Sequence, residues 1–475
     1  MTQPPAGPEK IDFTYSVNLV ALLSKLRLTI AMSTYQSGKV VLMGQHQGRF
    51  DIRAKDFPRP MGMHARGGTL WAGLGHGIYQ FGNFKAVTDQ LDEARSFDAC
   101  YLPQNIHFTG DVDIHEMEVC GGELYFVNTK FSCLCVKAPD QSFKPVWKPP
   151  FITLMQPLDK CHLNGFCARD GVPRYVTALG HSDEPLGWRA TKATGGILMD
   201  ITTNEVLAQG LCMPHSPRWH QGRLWLLESG KGTLSYFDFE TRQVVQVASL
   251  PGFTRGLDMH GDLAFVGLSK VRESATFSGL PITRLAKRVS GVWVVNIRTG
   301  QILSFVEFTA GLDEVFAVSV LPHVRMELLG FDSPQSHANY IVDGGGVGEV
   351  RMPESPLERA APHFERGNDL FNEHHKEDAI AAFRQALEIQ PDYLPATFNM
   401  AVALGDLGRF EEALTVLQDV IDRDASILEA YDSLGYVHYK KGDLAAAQAA
   451  YEKILALDPG NHKAMNSLAI LAREH

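Results

Sequence analysis

Between residues 28 and 350 the chain alternates short apolar segments with polar turns that contain Gly. The segments are rich in Val, Ile, Phe, Tyr and Trp, which favour β-strands. A polar turn ending in Gly, an apolar residue and an aromatic residue recur together at intervals of about 40–55 residues. We call each copy of this combination a turn phrase. The turn phrases begin at Arg66, Cys120, Ala168, His220 and His260. One four-stranded sheet per copy predicts a β-propeller.

The two ends of this region predict how the ring of blades closes. Val315–Leu321 starts a last blade and brings the predicted count to six, with seven blades as the alternative. Strands predicted at Leu28–Thr34 and Lys39–Met43 precede the first blade. We expect them to join the last blade and close the ring.

Residues 360–475 repeat with a period of 34. The aligned sets are Gly367, Ala401 and Gly435; Ala379, Ala413 and Ala447; and Phe383, Leu417 and Tyr451. Small residues let two helices cross closely, and the larger apolar residue fills the remaining gap. The pattern resembles the tetratricopeptide repeat, in which helix pairs stack into a solenoid. Three repeats are predicted at 360–393, 394–427 and 428–461, followed by a capping helix over 462–475.

Tetratricopeptide arrays usually bind peptides or proteins in a concave groove, so the resemblance implies a partner of that kind. The predicted partner-binding residues are Asn368, Asn372, Phe398, Tyr436 and Tyr439. Members that capture a C-terminal carboxylate carry Lys and Arg in the groove, and this chain largely lacks them. The predicted divisions are an N-terminal segment with a short helix (1–27), the propeller (28–350), a linker (351–359) and the repeats (360–475).

The turn phrases also predict which residues lie at the mouth of the propeller channel. Counting back five residues from Arg66, Cys120, His220 and His260, and from Cys167 in the looser third copy, gives Met61, His115, His162, His215 and Arg255. The corresponding place in the last blade is near Glu314. Because the first strand of each blade lines the channel, we expect these side chains to converge. Three neutral imidazoles on rigid strands suit a divalent metal ion, with zinc, iron and copper all open. The alternative is that the histidines bond to backbone and water, and His64 is a further candidate ligand.

Two polar segments between strands, 181–194 and 270–288, are predicted to be long loops on the channel face. Their candidate substrate-binding residues are Trp188, Arg189, Arg272 and Arg284. Together they would hold an anionic or peptide substrate over the metal. The alternative is that both segments are solvated loops without a ligand.

The charge of the chain bears on the class of partner, and its cysteine content bears on the cellular compartment. The chain has 475 residues and a formal net charge of −10, and 10 Lys and Arg oppose 19 Asp and Glu over 360–475. This near-neutral propeller and acidic repeat region lack the basic footprint that nucleic acid requires. No apolar stretch is long enough for a membrane helix. Seven scattered Cys and no recognisable signal peptide predict a cytoplasmic protein with reduced thiols.

The whole chain resembles an uncharacterised bacterial family in which a propeller domain of unknown function precedes tetratricopeptide repeats. The channel site is similar to that of peptide-amidating lyases, six-bladed propellers that hold zinc with three channel histidines, and of streptogramin lyases. This likeness implies a metal on His115, His162 and His215, a base at Glu314 and an oxyanion-stabilising role for Arg255.

These observations lead to two main functional hypotheses. The first is a metal-dependent enzyme of lyase or oxygenase type that acts on a peptide or a protein-presented substrate recruited by the repeats. The alternative is a non-catalytic interaction scaffold that uses the propeller and the repeats as two binding surfaces. A ligand sensor, in which the repeats report occupancy of the channel, is a third hypothesis.

Overall fold

The computed structural model describes residues 11–88, 91, 96–271, 277–341, 347–349 and 356–474. The chain divides into two compact units after residue 349. The first unit consists mainly of β-strands, and the second is helical. The predicted fold class, a six-bladed β-propeller followed by a tetratricopeptide solenoid, is confirmed.

Six sheets form the blades, each with four antiparallel strands, and in five of them these strands follow one another in sequence from the channel outward. The first three blades contain Met63–Arg66, Thr69–Leu74, Gly77–Asn83 and Ala99–Phe108; Ile114–Cys120, Glu123–Asn128, Cys133–Ala138 and Gln141–Trp147; and Leu163–Arg169, Val172–Ala178, Gly196–Asp200 and Glu205–Leu211. The fourth and fifth contain Pro214–His220, Arg223–Glu228, Thr233–Asp238 and Gln243–Ser249; and Phe253–His260, Leu263–Ser269, Ser290–Asn296 and Ile302–Ala310.

The closing blade is built from both ends of the propeller sequence. Its innermost strand, Ala317–Leu321, pairs antiparallel with Thr29–Thr34, which continues into Lys39–His46 and Arg49–Asp56. The innermost strands of all six blades contact their neighbours in a closed ring. The predicted closure by the early strands is therefore confirmed, and it leaves no gap between the first and last blades.

Two strands outside the predicted pattern extend the blades. Asp12–Tyr15 pairs with Ile302–Ala310 as a fifth strand of the fifth blade. Met326–Leu328 runs parallel to the outer strand Ala99–Phe108. The predicted N-terminal helix spans Leu19–Leu26 and buries Leu19 and Leu23 in the propeller core. The strand Asp12–Tyr15 and the helix Leu19–Leu26 are thus part of the propeller.

The remaining elements of the first unit are short. They are the helical turns Lys85–Thr88, Gly187–Thr191, Pro281–Arg284 and Pro334–Ala338, and the paired strands Asn339–Ile341 and Val347–Glu349. The core lies between neighbouring blades, where the strands Arg223–Glu228 and Ser290–Asn296 are almost entirely buried. Both strands have near-continuous apolar runs because both faces of their blades are covered.

Over residues 356–474 the helical unit forms three helix pairs and a final helix. The helices are Pro356–Asn372, Lys376–Ile389, Leu394–Asp406, Phe410–Arg423, Leu428–Lys441, Leu444–Leu457 and His462–Glu474. Gly442, with φ of 85°, ends the fifth of these in the left-handed conformation that glycine adopts without strain. Within the part of the chain that the structure describes, no helix is both long and apolar enough to cross a membrane.

Candidate functional site

The positions found by counting back from each turn phrase meet in one cavity of about 310 Å³. Each lies at or just before the innermost strand of a different blade. They are Met61, His115, His162, His215 and Arg255. In the closing blade the count pointed to Glu314, but Phe316 lines the cavity instead. The rings of His115 and His162 meet edge to face with centroids 4.8 Å apart. The ring of blades makes neighbours of residues that are far apart in sequence.

Two of the imidazoles are fixed through Nδ1 by main-chain carbonyls. Nδ1 of His115 lies 3.0 Å from the carbonyl oxygen of Asp113, and Nδ1 of His215 lies 2.9 Å from that of Met213. A side-chain hydroxyl also approaches each Nδ1, at 2.8 and 2.9 Å. Because a carbonyl oxygen only accepts, Nδ1 carries the proton and Nε2 is the ring atom available to the cavity.

The third imidazole is fixed by a carboxylate. Nδ1 of His162 lies 2.9 and 3.0 Å from the two oxygens of Asp159. The indole Nε1 of Trp188 also donates to Asp159, at 3.0 Å, and its ring lies 4.6 Å from that of His162. Such outer hydrogen bonds orient a histidine and select its tautomer.

The backbone that precedes these histidines has left-handed φ angles. They are 53° at Asp113, 46° at Asp159 and 50° at Met213, where residues other than glycine are uncommon. Strained residues of this kind cluster at functional sites, because only a rigid surrounding structure maintains them. Here the turns bring a hydrogen-bond acceptor to each imidazole.

Burial decides the charge of two of the rings. His115 is 8% exposed and His215 is 4% exposed. Burial, together with the neighbouring His162 and Arg255, holds the pKa of His115 well below its usual range. Burial and Arg255 do the same to the pKa of His215. Both rings are therefore neutral at neutral pH, with a free lone pair on Nε2.

A buried ion pair spans the channel beneath the histidines. Both terminal nitrogens of Arg218 donate to the carboxylate of Glu116, each at 3.0 Å. The space around this pair is about 10 Å³. The larger cavity is therefore reached from the other side, where the innermost strands begin.

The two residues proposed as stabiliser and base lie in adjacent cavities. Arg255 lines the histidine cavity and also a neighbouring one of about 280 Å³, whereas Glu314 lines only the neighbouring one. Glu314 accepts hydrogen bonds from Thr34 Oγ1 at 2.7 Å and from the Gln36 main chain at 3.0 Å. Burial raises the pKa of Glu314 and lowers that of Arg255.

The predicted loop residues have different positions. Trp188 is 3% exposed and lines the cavity beside Arg189, which is exposed. Arg284 is exposed on the turn Pro281–Arg284 and lies outside the cavity lining. Arg272 lies outside the described residues. His64 does not line the cavity and stacks on Trp71 with ring centroids 5.8 Å apart.

The side chains do not form a ready metal centre. Among the residues that the structure describes, no group of three or more His, Cys, Asp or Glu side chains is arranged to hold a metal ion. The three imidazoles share a cavity, yet they would have to shift to coordinate one ion. The donor type suits a divalent metal, but the observed positions do not.

Sequence reasoning missed the residues that hold the histidines. Asp113 and Met213 stand two residues before a cavity histidine, and Asp159 stands three residues before one. This spacing of two or three residues before each histidine is the sequence feature that could have identified them. Tyr35 and Phe316 also line the cavity, but they lie outside any strand and follow no countable pattern.

The helical unit has its own cavity of about 350 Å³. It is lined by Asn368, Phe371, Asn372, Phe383, Asn399 and Val402. The side-chain amide of Asn399 donates to Asn368 Oδ1 at 2.7 Å. This surface, which we call the amide groove, contains two of the predicted partner-binding residues.

The other predicted partner-binding residues lie elsewhere in the helical unit. Phe398 and Tyr439 are partly buried against apolar clusters between helices. Tyr436 is 43% exposed, with Lys440 over its ring. The structure therefore does not bring the five predicted residues into one cavity.

Comparison with known proteins assigns the propeller to a family. The sequence profile described as a domain of unknown function (DUF4915) matches residues 17–329. The chain belongs to the DUF4915 family. Tetratricopeptide repeat profiles match residues 360–393, 398–462 and 433–475 beyond the DUF4915 domain.

Curated relatives share short parts of the chain. The Hsp70-Hsp90 organizing protein of Triticum aestivum is 34% identical over 104 residues, which cover 22% of this chain and 18% of that protein. The protein CTR9 homolog of Arabidopsis thaliana is 31% identical over 96 residues, covering 20% of this chain and 9% of that protein. The chain thus spans less than a fifth of either relative.

Solved structures similar to the chain cover about a quarter of it. The first tetratricopeptide domain of Spaghetti (RPAP3) bound to the HSP90 peptide SRMEEVD has 24% identity and a TM-score of 0.24, covering 25% of this chain and 94% of that one. MamA from Desulfovibrio magneticus has 23% identity and a TM-score of 0.24, covering 24% and 65%.

Proposed function

We propose that this protein is an interaction scaffold whose tetratricopeptide repeats bind an extended peptide segment of a partner protein. The amide groove is the observation that supports this function. Its asparagines each offer a donor and an acceptor, which is the pairing that a peptide main chain presents. Phe371 and Val402 supply apolar contact beside them.

The composition of the groove also limits the class of peptide. None of its six lining residues is Lys or Arg. A C-terminal carboxylate would find no cation there, so we favour recognition of an internal segment. The formal charge of −9 over residues 360–475 favours a neutral or basic segment.

Selection of random peptides displayed on phage against the full chain tests this function. Affinities of enriched peptides are then measured by titration calorimetry for the wild type and for a double variant, Asn368→Ala with Asn399→Ala. We expect at least tenfold weaker binding by the variant. The control is Gln448→Ala, which removes an exposed amide that donates to Glu452 on the same helix. Equal affinities, or no enriched peptide, would contradict the proposal.

A metal-dependent enzyme is the second candidate, and the Nδ1 anchoring of all three channel histidines favours it. Histidine ligands commonly donate their other ring N–H to a carbonyl or carboxylate, which leaves Nε2 for the metal. Zinc, iron or copper would then supply Lewis acidity or redox chemistry after a shift of the rings. Elemental analysis of the wild type, His162→Ala and the control His220→Ala tests it. Substoichiometric metal in the wild type would count against this candidate.

We also propose a cytoplasmic location. All seven cysteines are buried free thiols. Sγ of Cys133 and Sγ of Cys135 lie 3.5 Å apart, in hydrogen-bond contact but not joined in a disulfide. Reduced thiols are typical of the cytosol.

A further inference from the structure

Arg255 presents a cation to the propeller cavity without a direct ion pair among the described residues. It lies on the innermost strand Phe253–His260 of the fifth blade and is mostly enclosed. Its guanidinium stacks on Phe316, 3.6 Å from the ring centroid. In the part of the chain that the structure describes, no side chain or main-chain oxygen forms a hydrogen bond or ion pair with it.

The other charged groups near the channel do have partners. Arg59 pairs with Asp111 and lies 3.1 Å from Asp113. Arg218 is satisfied by Glu116. An enclosed cation without a hydrogen-bonded partner is unfavourable, because the Phe316 ring and the more distant carboxylates replace only part of its lost hydration. The exception at Arg255 is explained if a ligand supplies the missing anion.

The charge of the cavity as a whole favours an anion. Its lining contains Arg59, Arg189 and Arg255 but only two carboxylates, Asp113 and Asp159. Arg189 lies exposed at the mouth and contacts the Trp188 ring. A positive group at the mouth and another at depth would attract an anionic ligand and hold it inside.

The imidazoles define a second requirement for the ligand. Nε2 of His115 and Nε2 of His215 are lone-pair acceptors, since the proton of each ring is on Nδ1. They would accept a hydrogen bond from an N–H group of the ligand. The rest of the lining is apolar and includes Met61, Leu179, Met213, Phe253 and Phe277. The ligand therefore needs an anion, an N–H donor and an apolar body.

We propose that this cavity binds an N-acylated apolar amino acid, free or as the C-terminal residue of a peptide, with its carboxylate on Arg255. The amide N–H of the ligand donates to Nε2 of His115 or His215. The side chain of the ligand packs among the aromatic and methionine residues of the cavity. A cavity of about 310 Å³ is at the small end of the range for ligand sites, which suits one such residue. The site is separate from the amide groove, so it stands independently of the peptide scaffold function.

Titration calorimetry on the full chain, treated with a chelator, tests the proposal. The probes are N-acetyl-alanine, N-acetyl-leucine, N-acetyl-methionine and N-acetyl-phenylalanine, each compared with its neutral carboxamide. We expect at least one acid to bind and its carboxamide to bind at least tenfold more weakly. Equal binding of acid and carboxamide, or no binding by any acid at millimolar concentration, would overturn it.

Variants locate the carboxylate. Arg255→Gln should weaken binding of the acid at least tenfold, and Arg255→Lys should retain part of the affinity because the charge remains. Arg298→Gln is the control, since it removes one exposed positive charge paired with Asp262. Tryptophan fluorescence verifies that each variant is folded. Wild-type affinity in Arg255→Gln, or binding that requires added zinc, would refute recognition by the guanidinium.

A second comparison separates the two sources of the ligand. A hexapeptide that ends in the preferred residue is titrated beside the N-acetyl amino acid. Tighter binding of the peptide supports the cavity as a site for protein C-termini, and tighter binding of the small acid supports a metabolite site. Both results support the carboxylate proposal and identify which source the mouth of the cavity accepts.

Discussion

Substitution of Gly435 by Ala tests how the helices of the repeats pack. A Cβ at this position would lie 2.7 Å from both Cε1 and Cζ of Tyr451 and 3.0 Å from Cδ1. Carbon atoms pack at about 3.5–4.0 Å, so the ring must move by about 1 Å. Tyr451 is 6% exposed and is held within a buried cluster. We therefore expect Gly435→Ala to strain the helix pair.

Two opposing effects set the magnitude of this change. Alanine stabilises a helix interior by about 1 kcal/mol relative to glycine. Overpacking a filled core costs about 1–3 kcal/mol. We expect a net loss of about 1 kcal/mol in the free energy of unfolding of the helical unit.

The chain itself contains a natural version of the compensating change. Gly435 faces Tyr451 and Gly367 faces Phe383, whereas the equivalent repeat combines Ala401 with Leu417. Alanine stands where the partner is Leu, and glycine stands where the partner is aromatic. The double variant Gly435→Ala with Tyr451→Leu should therefore be more stable than the sum of the single effects, by about 1 kcal/mol or more.

Urea denaturation of the full chain measures both units in one sample. Circular dichroism at 222 nm reports chiefly the helical unit. Fluorescence reports the propeller, because all six tryptophans lie between residues 71 and 293. The fluorescence transition should stay unchanged in these variants. A stabilising Gly435→Ala, or additive effects in the double variant, would refute the packing argument.

Three further predictions concern the propeller, with unfolding followed by tryptophan fluorescence. Arg255→Met should raise the free energy of unfolding by about 1 kcal/mol, because it removes an unpaired enclosed charge; a clear loss of stability would contradict this. Trp188→Phe should lower the free energy of unfolding by about 2 kcal/mol, because Asp159 loses the indole hydrogen bond at 3.0 Å. An unchanged unfolding midpoint would argue against a stabilising role of this hydrogen bond. Burial, with Arg218 and Arg66 nearby, lowers the pKa of His64 to about 4. Since an unfolded histidine binds protons below about pH 6.5, stability should fall as the pH drops from 6.5 towards 4, and less so in His64→Gln; the same pH profile in both proteins would refute it.

Several features of the fold follow from local patterns in the sequence. The period of 34 located the repeats because each helix pair buries the same positions against its neighbours. The turn phrase located the blades because it marks the turn that ends the innermost strand of each. Counting back along that strand placed His115, His162, His215 and Arg255 at one end of the channel.

The same counting was insufficient where the chain leaves regular strands. Near the closing blade it pointed to Glu314, but Phe316 enters the histidine cavity and Glu314 bonds to Thr34. Residues 311–316 belong to no strand, so alternation gives no information on the direction of their side chains. Trp188 lies in a polar loop in the sequence, yet that loop folds over the cavity and buries the indole.

The sequence alone therefore determined the two repeating architectures and the ring position of the cavity residues, because these depend on spacing along one chain. Only the tertiary structure decided which charges are paired. Arg218 forms an ion pair with Glu116 on a different blade, whereas Arg255, on the blade beside it, forms no ion pair with a carboxylate among the described residues. Such pairing depends on distances of a few ångströms between strands far apart in sequence, which no local pattern encodes.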